Sequence, residues 1–342
     1  MLPVPPFPRS PVPPFPRSPV PPFPVPRSPV PPFPCYHPSM ADWRVADRTL
    51  PIGARTLVMG VLNVTPDSFS DGSEFLAPDK ALEHAEQMIN DGADIIDVGG
   101  ESTRPGAATI SWEEELHRVI PIVEALAKCS PVPISIDTTK ATSARAALDA
   151  GAAIVNDISA LRFDFHLADE AAKSGAGVIL MHSRGTPATM HRLPPVFDIV
   201  EEVTSSLRSS IAMAQRRGVK RDSIVIDPGI GFGKTQDQNV ELIARLDQLV
   251  RAFPEFPILI GTSRKSFIGR LLNDAPVTQR LHGTMASVTA AVLSGAHIVR
   301  VHDVKAAVET VRIADAIAGA RKTKAPGNGE SNRLPGARSM GN

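Results

Sequence analysis

Eight short apolar runs punctuate the chain, and each closes on a polar or chemically useful side chain. They predict strands at 57–62, 93–98, 132–137, 153–156, 177–182, 224–227, 257–262 and 297–302. The runs are rich in Val and Ile and apolar almost throughout, as strands covered on both faces should be. Between them the period changes. Leu82, Ala85, Met88 and Ile89 recur at helical spacing, as do Leu242, Ile243, Leu246 and Leu249. Helices are expected near 78–91, 113–127, 140–149, 166–174, 196–217, 236–251, 279–294 and 304–318. Thr138, Asp164 and Asp303 are N-cap candidates. Gly92, Gly151, Gly175 and Gly295 fall just past helix ends, where glycine accepts a left-handed turn. Upstream, 43–49 and 52–56 read as a hairpin across one end. Strand then helix, eight times, specifies the α/β class and a single (β/α)8 TIM barrel.

The runs end in order at Asn63, Asp97, Asp137, Asn156, Met181-His182, Asp227, Ser263-Arg264-Lys265, and Arg300 with His302. In this fold the carboxyl ends of the strands converge on one face. A buried carboxylate or guanidinium there is costly unless a partner or ligand meets it, so the ring predicts a polar ligand. Arg300 and His302 are two apart on a strand and share a side. With the next helix's N-terminus beyond them, they form an expected anion site. His84, His117, His166, His191 and His282 read as surface residues, and His182 as a supporting one. Lys234 ends a glycine-rich run, but the P-loop spacing fails, so no nucleotide is expected there.

Charge narrows the partners. The 36 basic and 36 acidic residues balance to a net charge of zero, which gives no footprint for nucleic acid. No apolar run approaches the roughly 20 residues of a membrane span. Cys35 and Cys129 form no metal spacing and no disulfide framework, so the expected compartment is the cytoplasm. The 342 residues suffice for one barrel of about 250 plus tails. Residues 1–40 are a low-complexity arm. It holds 18 of the 34 prolines and is expected to be disordered and polyproline-like rather than a signal peptide. It reads either as a ligand for SH3- or WW-type domains or, more simply, as a tandem repeat upstream of an initiator at Met40. Residues 320–342 read as a disordered tail, leaving one domain over 41–319.

Two polar, glycine-bearing loops follow the first strands. The first is Asn63-Val64-Thr65-Pro66-Asp67-Ser68-Phe69-Ser70-Asp71-Gly72, and the second contains Gly99-Gly100-Glu101-Ser102-Thr103-Arg104-Pro105-Gly106. Further on stand Asp227-Pro228-Gly229-Ile230-Gly231-Phe232-Gly233-Lys234, Ser263-Arg264-Lys265 and Arg300-Val301-His302. Together these motifs resemble the dihydropteroate synthase family of pterin-binding proteins over about 55–318. Ser73, where the family usually carries a second glycine, is a departure, as is the proline-rich arm.

The resemblance implies condensation of 6-hydroxymethyl-7,8-dihydropterin diphosphate with 4-aminobenzoate, by an SN1-like course with Mg2+, in a homodimer joined near 279–318. It implies a pterin subsite of Asp137, Asn156, Met181, Asp227, Phe232 and Lys265. The residue types suit that ring: a carboxylate accepts two adjacent N–H donors, Lys265 donates to the ring carbonyl, and Phe232 and Met181 offer apolar contact. Diphosphate falls to Asn63, Arg104, Arg300 and His302, with Asn63 at the metal. The aminobenzoate falls to Thr103, Pro105, Phe232, Ser263 and Lys265. Catalytic roles fall to Asp71, Asp97, Asp137 and Lys265, while Arg264 is left unassigned. Two alternatives stay open. A corrinoid-dependent methyltransferase on the same barrel has no use for the anion pair, and a non-catalytic relative would show eroded loop residues.

Overall fold

The apolar runs pair edge to edge, and their order in the sheet follows their order in the chain. In the computed structural model, which describes residues 42–65, 77–102 and 109–323, a hairpin leads: β1 (Trp43–Val45) and β2 (Arg48–Leu50). Next come β3 (Leu57–Asn63), α1 (Ala77–Asn90), β4 (Ile95–Gly99), α2 (Trp112–Cys129), β5 (Ile134–Asp137) and α3 (Ala141–Asp149). They are followed by β6 (Ile154–Asp157), α4 (Leu167–Ser174), β7 (Gly177–Met181), α5 (Ile199–Arg216), β8 (Ile224–Asp227), α6 (Gln236–Ala244) and α7 (Leu246–Ala252). Last are β9 (Leu259–Ile260), α8 (Ser266–Leu271), α9 (Leu281–Leu293), β10 (Ile298–Val301) and α10 (Val304–Thr323). The parallel order is β8-β7-β6-β5-β4-β3-β10-β9, and a bridge from Ile226 to Ile258 joins its two edges. This is the expected TIM barrel.

Alternation along the strands splits the apolar residues into two cores. One face, with Val58, Leu62, Ile96, Val98, Ile136, Val155 and Val178, packs against the helices. The other face fills the barrel itself with Leu57, Met59, Ile95, Ile154, Ile179, Val225, Leu259 and Ile298. Trp43, Val45 and Ile52 join that inner cluster and close its floor. The indole of Trp43 donates to the Ser223 carbonyl at 3.0 Å. Gly177 lets the hairpin seat, because a Cβ there would stand 2.6 Å from Val45 Cγ1 and 3.0 Å from the indole.

Several expectations need correction. The hairpin pairs Trp43–Val45 with Arg48–Leu50, not with 52–56. Ala46 at φ 53° makes a tight turn, and Thr56 is instead held by the Asp315 carboxylate, at 2.9 Å from its N–H and 2.7 Å from its hydroxyl. Of 257–262 only Leu259–Ile260 is strand, because the chain turns at Thr262–Lys265 into α8, which was not expected. The helix expected over 236–251 breaks at Arg245, and the last helix runs past 319 to Thr323. Thr138 does not cap α3. Its hydroxyl accepts from Lys140 N–H at 3.2 Å, while Asp164 accepts the first helical N–H, from Ala141, at 2.9 Å. The Asp303 carboxylate turns to Arg264. Gly92, Gly151, Gly175 and Gly295 do sit at positive φ.

Trp43 is 1% exposed. Its replacement by alanine is therefore expected to cost about 3–5 kcal/mol of unfolding free energy. Urea denaturation measures this, and a loss below about 1 kcal/mol would mean that the hairpin is not part of the core.

Candidate functional site

Above the apolar floor the inward positions become polar. Asn63, Gly99, Asp137 and Asn156 lie side by side on β3, β4, β5 and β6, in register as neighbours. Asp97 sits one inward position deeper on β4, wholly buried. Arg300, rising from β10, donates through Nε to Asp97 at 2.6 Å and through Nη2 to Asp137 at 2.7 Å. Asn156 donates its amide to the same Asp97 oxygen at 3.0 Å. The other Asp97 oxygen has no hydrogen-bond partner among the described residues. Burial works against the Arg300 charge, but the two carboxylates outweigh it and hold the guanidinium above its ordinary pKa. Burial pushes Asp137 up to about 7, Arg300 opposes this, and Asp97 adds to it.

The far wall is the loop after β8. Asp227 is 4% exposed, and its Oδ1 accepts from Gly229 N–H at 2.7 Å. Burial raises its pKa, while Lys265, the Gly229 N–H, Lys234 and Arg300 act to lower it. Lys265 bonds the Ile230 carbonyl, and its ammonium lies 4.7 Å from the Phe232 ring centroid. Burial, opposed by Asp227, brings Lys265 down to about 8. Met181 ends β7, buried, and its Cα partner in the sheet is Asp227.

At the mouth beyond Arg300, Ser263 Oγ stands 3.0 Å from His302 Nδ1 and accepts the His302 N–H at 3.2 Å. These two had been expected in different subsites, yet they touch. Arg264, at φ 57°, turns away and grips Asp303 through Nε at 2.9 Å. The described residues thus bring together Asn63, Asp97, Asp137, Asn156, Met181, Asp227, Phe232, Ser263, Lys265, Arg300 and His302 at one end of the barrel. Asp71, Thr103, Arg104 and Pro105 lie outside the described residues.

Two groups went unassigned in the sequence. Lys140 bridges Glu101 and, at 3.1 Å, the buried Glu115, which also accepts from Ser143 at 2.6 Å. This ties the exits of β4 and β5 to α2. Lys234 donates to three carbonyls of the β7 and β8 exits, Gly229 at 2.8 Å, Phe232 at 3.1 Å and His182 at 3.3 Å. Its place at the end of the Asp-Pro-Gly-x-Gly-Phe-Gly-Lys run was visible, but not its targets.

Asn63 bears on the metal question. Among the described residues no three His, Cys, Asp or Glu side chains cluster to hold an ion. Mg2+ needs no such cage, since it is usually held by one or two protein oxygens together with phosphate and water. The Asn63 amide oxygen stands on the row that also carries Asp137, so it fits that kind of ligation.

His182 gives the site a pH signature. It is buried, its Nδ1 has no partner among the described residues, and burial with Lys234, Arg162 and Arg184 nearby lowers its pKa to about 2. The unfolded chain takes up this proton near pH 6.5, which the folded state resists down to about 2. Its stabilising contribution is therefore complete above about pH 6.5 and lost as the pH falls below that value. The unfolding free energy of wild type should fall relative to that of His182→Gln by up to about 1.4 kcal/mol per pH unit below 6.5. Denaturant titrations between pH 7 and pH 5 measure the difference, and a constant gap would show a protonated His182.

Residues 59–302 match the family described as pterin binding enzyme. The dihydropteroate synthase of Synechocystis is 49% identical over 265 residues, covering 78% of this chain and 91% of that protein. Among solved structures, a dihydropteroate synthase from Clostridium difficile determined in the presence of pteroic acid superposes with a TM-score of 0.73 at 46% identity, covering 78% of this chain and 98% of that one. One from Xanthomonas albilineans with 4-aminobenzoic acid gives 0.72 at 40% identity, covering 80% and 94%. With the barrel, the strand-end carboxylates and the Asp227–Lys234 loop in place, the chain belongs to the pterin-binding enzymes and, within them, to the dihydropteroate synthases.

Proposed function

We propose that the barrel mouth joins 6-hydroxymethyl-7,8-dihydropterin diphosphate to 4-aminobenzoate, releasing 7,8-dihydropteroate and diphosphate. The observation that carries this reading is the Asp227 carboxylate. It is buried at a strand end, with one oxygen taken by Gly229 N–H and the other free of any protein donor among the described residues. That oxygen is open to a ligand donor, and a pterin's amino and ring N–H groups are a donor pair that a carboxylate accepts. Asn156 and Asp137 continue the polar edge, Lys265 donates to the ring carbonyl, and Phe232 and Met181 flank the ring.

The bond that breaks joins the pterin methylene to a diphosphate oxygen, and the electron pair leaves with that oxygen. Arg300 on β10 and His302, just before α10, oppose the charge that develops on it. Asn63, with the diphosphate, would hold Mg2+, which supplies further neutralisation of the leaving group when bound. The methylene is left electron-poor, and Asp97, whose second oxygen has no partner among the described residues, favours a cation there, while Asp137 is held to Arg300. The aminobenzoate nitrogen then forms the C–N bond and gives up one proton to solvent. It needs no strong base, because an aniline is neutral near pH 7. Ser263, Lys265 and Phe232 line its approach, and Thr103, Arg104, Pro105 and Asp71 complete the proposed set.

We also infer a homodimer. Leu281, Ile313 and Ile317 are exposed on α9 and α10, within the 279–318 segment expected at the contact, and Leu271, Leu272 and Val277 are exposed just before it. Such side chains grouped on one region mark an association surface. The exposed free thiol of Cys129 suits a reducing cytoplasm. No helix among the described residues is long and apolar enough to cross a membrane.

With both substrates and Mg2+, the chain is expected to release diphosphate and dihydropteroate in equal amounts, and no release with all three present would sink the reading. Asp227→Asn turns an acceptor into a donor and should cost about 2–5 kcal/mol of pterin affinity. Calorimetry with 6-hydroxymethylpterin checks this, and unchanged affinity would refute the assignment. Light scattering at micromolar concentration should give about twice the 36.4 kDa chain mass. A monomer mass would remove the dimer.

A further inference from the structure

Lys234 is spent entirely on main chain. An ammonium has three N–H donors, and this one meets three carbonyls, those of His182, Gly229 and Phe232. Among the described residues no carboxylate bonds it. Its placement is tied to close packing of two loops. A Cβ on Gly229 would fall 1.9 Å from the His182 carbonyl oxygen, and one on Gly233 would fall 2.5 Å from that of Arg184. The loop after β8 therefore lies directly against the exit of β7, with carbonyls of both turned toward one point. Carbonyl dipoles so directed repel one another unless a cation sits among them.

The three contacts lead into the site. Gly229, whose carbonyl Lys234 holds at 2.8 Å, is also the residue whose N–H fixes Asp227 Oδ1 at 2.7 Å. Phe232, held at 3.1 Å, carries the ring beside the Lys265 ammonium. From the opposite side Lys265 bonds Ile230, between those two residues. Asn239, at the start of α6, accepts Gly231 N–H. Every residue from 229 to 232 is thus gripped, and Lys234 grips two of them.

We infer that Lys234 is a positioning residue for the pterin subsite, orienting the Asp227 carboxylate and the Phe232 ring through the main chain of the loop between them. This rests on the pterin assignment of Asp227 above. It differs from a phosphate-binding role, because all three N–H groups are already taken by carbonyls. Burial lowers the lysine's pKa well below its ordinary value, Asp227 opposes that shift, and bonding to three carbonyls favours the charged form.

The test is calorimetric binding of 6-hydroxymethylpterin, and separately of inorganic diphosphate with Mg2+, to the full chain. Lys234→Met keeps most of the length of the side chain and removes every donor. It should weaken pterin at least tenfold and change diphosphate by less than twofold. Leu126→Ala, in the outer core far from the loop, is the control for lost stability and should bind pterin as wild type does. If Lys234→Met does not fold, Lys234→Gln, which keeps only two donors, is read by the same criteria. Pterin binding unchanged in the variant, a selective loss of diphosphate, or an equal loss in Leu126→Ala would each overturn the inference. If wild type itself fails to bind 6-hydroxymethylpterin, the pterin reading falls first and this inference with it.

Discussion

A single guanidinium sets the terms for the upper half of the barrel. Arg300 is largely enclosed, with Asp97 fully buried and Asp137 nearly so beside it. Breaking such a group by removing one partner typically costs about 3–5 kcal/mol, because a bare charge is left behind. The partners lie on β10, β4 and β5, and β3 stands between β10 and β4, so the guanidinium reaches across it. The register of four strands must therefore agree for the charges to meet. Asn156, bonded to Asp97, brings β6 into the same agreement.

The floor obeys the opposite rule. There the inward positions include Leu, Met, Ile and Val, joined by the hairpin. This division lets one barrel be stable and reactive together. Apolar burial at one end supplies cohesion, and the other end can carry charges that would by themselves destabilise it. The glycine-rich loop after β8 extends the same principle to main chain, since its carbonyls are answered by Lys234 and Lys265.

Much of this was legible in the chain because the barrel repeats one simple signal. A Val/Ile run ending in Asn or Asp marked β3, β4, β5, β6 and β8, and 224–227 was placed to the residue. Where the signal was weak the reading drifted. β9 has two residues and hands over to a turn, and α8 has six, too few to show a period. Spacing put Arg300 and His302 on one side but said nothing of depth, so the grip of Asp97 and Asp137 on Arg300 was not foreseen. Arg264 and Lys265 are neighbours in sequence, and only the left-handed φ of Arg264 separates their directions. The glycine-rich run shows where Lys234 stands but not what it grips, because carbonyl directions leave no trace in side-chain identity.

The seal at the floor has a further meaning for turnover. With Trp43, Val45 and Ile52 packed into the inner core, the barrel is a blind well with one opening. Whatever sits deepest must arrive first and depart last. Asp97 and Asp137 lie deeper on their strands than His302 and Ser263, so a ring seated on the strand-end carboxylates would be trapped beneath anything bound nearer the rim. Molecular traffic through such a mouth would be a stack rather than a flow, with the rim occupant setting how long the one below it stays.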